Sequence, residues 1–393
     1  MGLILNDLKN ACELEHVCDY VNNRTTSSMN YISTENMLPN KGGISESTII
    51  PPGTTTEYKI GDILISNIRP YFQKIWCADR CGGCSADVLC IRAKENTDSK
   101  YLYYLLSQQA FFDYVMSGAK GCKMPRGDKK QIMQWPVNIP AIDVQKKVVA
   151  ILSSLDNKIR LNRRINDNLE EQAKALFKSW FVDFEPFKGG KFVDSELGLI
   201  PKGWSTGTIY SYIDVIYGAP YKSALFNDKK QGLPLIRIRD LKTYTPQYYT
   251  KEVLPNTEYV ECGDIIAGMD AEFIPHIWRG EKGVLNQRLC KFVPKYDYVS
   301  KYYIYSLVYP KLAFVQSYKV GTTVSHLGKA DIDRFKVIVP PEDIIMQYSK
   351  IVNSYFAEIV KVSNENQILS SLRDTLLPKL MSGEISVEEV SLD

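Results

Sequence analysis

Histidine is scarce: His16, His276 and His326 are the only three in 393 residues, and no two of them are spaced as a metal-ligand pair. An H-E-x-x-H metal helix is therefore excluded. The sequence also contains no G-x-G-x-x-G or G-x-x-x-x-G-K-[ST] phosphate loop and no G-x-S-x-G nucleophile elbow, which leaves no recognisable dinucleotide, P-loop or hydrolase chemistry. No apolar run approaches the roughly 18–20 residues of a membrane span. The opening stretch MGLILNDLKN has no basic flank, so a secretory signal is not expected, and Asn6 stands where a myristoylation motif wants Ser or Thr. A cytoplasmic protein is expected. The net charge of +3 excludes an acidic mimic of nucleic acid and falls short of a globally basic polyanion binder. Nine cysteines, an odd number spread over both halves, do not form a secreted disulfide framework. Cys77, Cys81, Cys84 and Cys90 cluster, but only Cys81–Cys84 has the CxxC spacing of a zinc knot, so reduced thiols around a strand and turn are preferred and no metal is expected.

The sequence, with those motifs missing, reads as that of a binder. With 45% hydrophobic and 24% charged residues the chain is a folded one, and its length calls for two or more domains. Many of its 25 tyrosines stand beside Lys or Arg, a pattern commoner in half-buried strands than in base contacts.

Self-similarity organises the sequence. VNIPAIDVQ (137–145) reappears as VIVPPEDIIMQ (337–347), YKIGDILIS (58–66) as VECGDIIAG (260–268), and SKYLYYLL (99–106) as SKYYIYSL (300–307). Offsets between 200 and 202 throughout indicate a duplication with diverged halves. Each half begins with short alternating segments rich in Ile, Val, Tyr and Trp, which predict strands. A polar Gly-containing loop follows, then a Pro-bounded strand and a long helix. The repeated pairs Gly61-Asp62 and Gly263-Asp264 are read as turns, the Asp capping its own backbone, rather than as metal ligands.

In the helices, positions 148, 152, 155, 159, 162, 166, 169, 173, 176 and 180 step by alternating fours and threes and carry Val148, Leu152, Leu155, Ile159, Asn162, Asn166, Leu169, Ala173, Leu176 and Trp180. Two hundred residues on, the same phase carries Tyr348, Val352, Tyr355, Ile359, Val362, Asn366, Leu369, Arg373, Leu376 and Leu380. This is a coiled-coil seam, with Asn166 and Asn366 as register-fixing polar residues. Each helix is expected to close its own globular module and to pair with its twin, antiparallel. About 37 helical residues span roughly 55 Å, enough to hold two modules apart.

The stretch LNRRINDNLEEQAKALFKSWFVDFEPFKGGKFVDSELGLIPKGW (161–204) resembles the central region of specificity subunits of type I restriction–modification systems. LLPKLMSGEI (376–385) is similar to their second repeat, and NYISTENMLPNKGGI (30–44) to a frequent start of their first variable domain. The resemblance covers nearly the whole chain. It implies an α+β architecture: two mixed α/β target-recognition domains related by the internal repeat and separated by two long antiparallel coiled-coil helices. The expected boundaries are target-recognition domain 1 at 1–141, the central conserved helix at 142–183, a linker at 184–203, target-recognition domain 2 at 204–341, the C-terminal conserved helix at 342–382 and a tail at 383–393. It further implies a non-catalytic subunit that binds double-stranded DNA and reads a bipartite, asymmetric site, one domain per half-site. Its partners would be two methyltransferase subunits docked on the helices and two restriction subunits, with S-adenosylmethionine in the former and ATP and magnesium in the latter.

On that reading, basic loops supply the DNA contacts. Residues 119–130 carry Lys120, Lys123, Arg126, Lys129 and Lys130 against Asp128 alone, a net +4. The matching loop offers Lys319, Thr322, Thr323, Ser325, His326 and Lys329. Such side chains bond guanine edges or phosphate. Arg24, Arg69 and Tyr71 are further candidates in the first half. Lys222, Arg237, Arg239 and Lys242 are candidates in the second, where Arg237 and Arg239 are expected to alternate on a strand and share one face. Two other classes compete: a DNA-modifying enzyme with its own target domains, and a structural coiled-coil adaptor with protein-binding ends.

Overall fold

The computed structural model describes residues 11–26, 30–45, 52–121, 123–319 and 326–387. The chain divides into two units, one made of residues 1–156 and 371–393, the other of residues 157–370.

The first unit is built on an antiparallel sheet in the order Cys18–Tyr20, Val88–Ala93, Ile63–Ser66, Ile75–Cys77. Because side chains alternate along a strand, the central strand feeds two cores. Ile63 and Ile65 pack with Leu89, Ile91, Leu102 and Phe111 under the helices Ser99–Leu106 and Gln109–Ser117. Leu64 points the other way, toward Tyr58, Trp76 and Cys90. A small sheet of Arg24–Thr25, Thr55–Tyr58 and Gly82–Cys84 lies on that side.

The second unit repeats the plan. Its main sheet runs Ile213–Tyr217, Leu289–Pro294, Ile265–Gly268, Pro275–Ile277. Ile265 and Ala267 face the core that includes the helix Lys301–Lys319, while Ile266 faces Trp278 and Leu285. The turn before the central strand is the same in both units. Gly61 and Gly263 take φ of +88° and +94°, where a side chain would be strained. Asp62 Oδ2 accepts from Lys59 N at 2.8 Å, and Asp264 Oδ2 from Glu261 N at 2.9 Å. The turn reading of the Gly-Asp pairs is therefore correct. Arg92 and Lys301 then neutralise the two carboxylates at 2.7 and 2.6 Å.

Each long helix has 40 residues, Ile142–Phe181 and Glu342–Met381. Within the second unit, Asn162 Nδ2 donates to Glu365 Oε2 at 2.8 Å and Asn366 Oδ1 at 3.0 Å, and Asn166 Nδ2 to Ser363 Oγ at 3.1 Å. One number rises as the other falls, so the helices pair antiparallel. Within the first unit, Arg373 Nη1 meets Asp156 Oδ1 at 2.9 Å, and Tyr104 donates to the other Asp156 oxygen at 2.7 Å. Val148 and Leu152 pack there with Leu377 and Leu380. Of the seam residues, Leu152, Ile159, Asn162, Asn166, Val352, Ile359 and Val362 are buried, and Leu155, Leu169, Leu176, Tyr355, Asn366, Leu369 and Leu376 half-buried.

The expectation that each helix closes its own module needs correction. Only its first part belongs to the unit formed by the residues before it. The chain leaves the central helix after Phe181, passes through Phe184 in the left-handed region, φ 53°, and enters the short 3-10 turn Glu185–Phe187, which contains Pro186. The aromatic residues crowded there (Phe177, Trp180, Phe181, Phe184) join Trp204, Tyr303 and Tyr348 in the core of the second unit. The far end of the C-terminal helix, with Leu377 and Leu380, belongs to the first.

Candidate nucleic-acid interface

In the first unit, the chain leaves the central strand at Ser66 and turns through Arg69, whose φ of 50° is left-handed and strained for a residue with a Cβ. That turn captures the basic loop. Arg69 N donates to Pro125 O at 2.8 Å, and Lys120 and Arg126 exchange both backbone hydrogen bonds at 2.9 Å. Arg126 reaches Asp87 Oδ1 at 3.2 Å, and Lys120 reaches Asp128 Oδ2 at 2.9 Å. Lys120, then the backbone N–H groups of Gln131 and Lys130, hold the Asp128 carboxyl below its usual range. Lys129 bonds the Tyr20 hydroxyl at 2.6 Å and lies over its ring. Tyr71 is exposed beside Phe72, Lys123 is exposed on the loop, and Lys130 is exposed in the first turn of the helix Lys129–Met133. Arg69, Lys120 and Arg126 are thus brought together by backbone pairing. Arg24 lies instead on the small outer sheet.

In the second unit, Asp270 follows the equivalent strand and bridges antiparallel to His326, whose Nδ1 lies 2.7 Å from Asp270 Oδ1. Lys319 bonds the His326 carbonyl at 2.8 Å and Asp331 at 2.6 Å. Lys242 pairs with Glu272 at 3.1 Å, and the Glu272 backbone bonds the Asp270 carbonyl. These residues form one neighbourhood, with Lys329 exposed at the start of the helix Lys329–Ile332. Lys222 is exposed beside Glu252, which accepts from its backbone N–H. Thr322, Thr323 and Ser325 lie outside the described residues, as does the opening stretch 1–10.

Arg237 and Arg239 do not alternate on a strand. The strand stops at Ile236, and buried Asp240 accepts from Arg237 N at 3.0 Å, which folds Ile238–Asp240 into a 3-10 turn. Arg237 is mostly buried and its guanidinium lies 4.4 Å from the centre of the Tyr248 ring, whereas Arg239 is exposed.

These duplicated scaffolds with unlike loops find their counterpart among known families. The model of the type I restriction modification DNA specificity domain matches twice, over residues 10–171 and 201–370. The chain belongs to this family. The type I restriction enzyme MjaIX specificity subunit of Methanocaldococcus jannaschii is 27% identical over 325 residues, covering 76% of this chain and 71% of its own. The HindI specificity subunit of Haemophilus influenzae is 24% identical over 433 residues, covering 90% and 94%. A solved S subunit from M. genitalium is similar over 97% of this chain and 98% of its own, at 15% identity and a TM-score of 0.46.

Within this specificity-domain chain, sequence reasoning missed Asp87, Asp270 and Arg288, the groups that hold the loops. Arg288 Nε lies 3.2 Å from Asp270 Oδ2. Asp87 and Arg288 stand just before equivalent strands, and Asp270 stands where the first unit has Ile68, so likeness between the halves gave no signal for them. Among the described residues, the side chains placed closely enough to share a metal ion are Glu13, Glu15 and His16, all exposed. Burial raises the thiol of Cys84 to about 12 and that of Cys77 to about 11, and raises Cys90 further. No helix among the described residues is long and apolar enough to cross a membrane.

His276, on the edge strand Pro275–Ile277, supplies a pH test. Burial holds its ring below the ordinary histidine value, with Glu272 opposing and Lys242 reinforcing the shift. A depressed pKa favours the fold while the ring is neutral. That contribution is present above pH ~6.5 and is lost as pH falls through the folded value. The urea midpoint of the second unit is expected to drop between pH 7.5 and 5.5, and to drop less in His276→Gln. An equal drop in both proteins would assign the effect to other groups.

Proposed function

We propose that this chain is the DNA-reading subunit of a type I restriction–modification complex, with each unit addressing one half of a bipartite, asymmetric site. The observation that carries this reading is the pair of equivalent loop clusters, built on the same strand-and-turn scaffold and equipped with different side chains. Two readers of unlike words need such a pair. Membership of the DNA specificity domain family and the names of the relatives support the same reading. The subunit is non-catalytic. It docks two methyltransferase subunits, which supply S-adenosylmethionine, and two restriction subunits, which supply ATP- and magnesium-dependent translocation and cleavage. The complex works in the cytoplasm.

The purified chain alone is expected to bind duplex DNA in a salt-dependent manner and neither to methylate nor to cleave it. Turnover with S-adenosylmethionine, or with magnesium and ATP, would favour an enzyme carrying its own target domains. Absence of salt-dependent DNA affinity would favour a coiled-coil adaptor. Within the reading, Arg126→Ala is expected to damage one half-word only. If the guanidinium meets a base, that half-site loses about 1–3 kcal/mol. If it meets phosphate, binding weakens on all sequences and the salt slope falls by about one. An unchanged affinity and slope in both Arg126→Ala and Lys123→Ala would remove the loop from the interface.

A further inference from the structure

Three backbone places recur in the two units. The first, just past the central strand, holds Ile68 in one unit and Asp270 in the other, each bridging antiparallel to the loop. The second, at the start of the neighbouring strand, holds Asp87 and Arg288. Their carbonyls accept from Asn67 N and Met269 N, both at 2.9 Å. The third, on the loop, holds Arg126 and His326.

The backbone is common, but the charges have changed places. In the first unit the acid is at the second place and the arginine at the third, with Arg126 Nη2 3.2 Å from Asp87 Oδ1. In the second unit the acid is at the first place and the arginine at the second, with Arg288 Nε 3.2 Å from Asp270 Oδ2. Both arginines remain more than half exposed, at 58% and 55%. Ion pairs this exposed contribute little to stability. What the carboxylate does is restrict the direction of a planar fork on a side chain that stays more than half exposed. His326, 2.7 Å from the other Asp270 oxygen, restricts that carboxylate in turn.

We propose that Arg288, aimed by Asp270, reads a guanine edge in the half-site of the second unit. Arg126 has the corresponding role in the first, from a different backbone place. The inference rests on the DNA-reading assignment above and adds the residue and the base class. A guanidinium bonds guanine O6 and N7 in bidentate fashion. Moving it from the loop to the strand start moves the base it can reach, so one scaffold reads two unlike words. Asp270 is a positioning residue.

The test uses the full chain and selection from a random duplex library, with bound DNA sequenced and affinity measured against salt. Arg288→Ala is expected to erase a guanine preference at one place in one half-word, with a loss of about 5- to 150-fold on the wild-type site, and to leave the other half-word intact. Arg288→Lys keeps the charge but not the fork. It is expected to lose the same preference while retaining the salt slope. Asp270→Asn is expected to weaken discrimination at that same place. An unaltered guanine preference in Arg288→Ala overturns the proposal, whether or not the salt slope falls, as does a loss spread over both half-words. A wild-type chain that binds DNA without any sequence preference would instead remove the DNA-reading assignment, and this inference with it.

Discussion

A chain carrying seven extra residues in each long helix is expected to direct methylation to sites with the same two half-words and a gap about three base pairs longer. The insertions belong between Asn162 and Arg163 and between Asn364 and Glu365, because Asn162 donates to both Glu365 and Asn366 across the pair. That layer and the Asn166–Ser363 layer then stay intact on opposite sides of the insert. Seven residues preserve the seam and add about 10 Å of helix, against 3.4 Å per base pair. Three base pairs are roughly a third of a helical turn, so affinity is expected to fall while the words persist. Sequencing of methylated sites in a host that also expresses the methyltransferase partner reads the gap directly. An active insertion protein with the original gap would show that the helices do not set the spacing.

Phe181→Ala is expected to destabilise the second unit by about 3–5 kcal/mol, the range for emptying a buried phenylalanine site. Its ring lies 4.9 Å from Tyr348, 5.1 Å from Tyr303 and 6.1 Å from Trp204, centre to centre, and only 7% of the residue is exposed. Edge-on aromatic pairs add to the area term, and the large flat partners cannot close the gap without leaving their rotamers. Native-state hydrogen exchange locates the damage. Protection is expected to fall in Ile213–Tyr217, Ile265–Gly268 and around Tyr348, and to hold in Ile63–Ser66 and Val88–Ala93. A loss confined to the strands of residues 63–93 would mean that the helix end serves the unit it follows in sequence.

The duplication, the strand-to-helix order of each half and the seam were legible in the sequence because each is a periodic or self-similar property of local residue type. Asn162, Asn166 and Ile359 fall on the seam by spacing alone, and all three are buried. Arg237 and Arg239 show where such reasoning fails. Alternation in LIRIRDL suggests a strand, but Asp240, three residues on, captures the Arg237 N–H and ends it. Arg288 is illegible in the sequence for another reason. Its counterpart by repeat register is Asp87, so comparing the halves for likeness hides a residue whose meaning lies in the difference.

By itself, the sequence determined that there are two copies of one strand-and-helix unit, that their helices pair through an apolar stripe interrupted by asparagine, and that the chain carries no familiar catalytic motif. Those conclusions depend on which residues recur at which interval. The tertiary structure alone decided which part of each helix serves which unit, placing Leu377 and Leu380 with residues of the first and Phe181 with the second. A continuous seam presents the same stripe along its whole length, so nothing local divides it. It also decided that Asp87 holds Arg126 and Asp270 holds Arg288. Each pair joins the loop or turn to a strand start through distant parts of the chain, and the charges meet only after the sheet has set their positions.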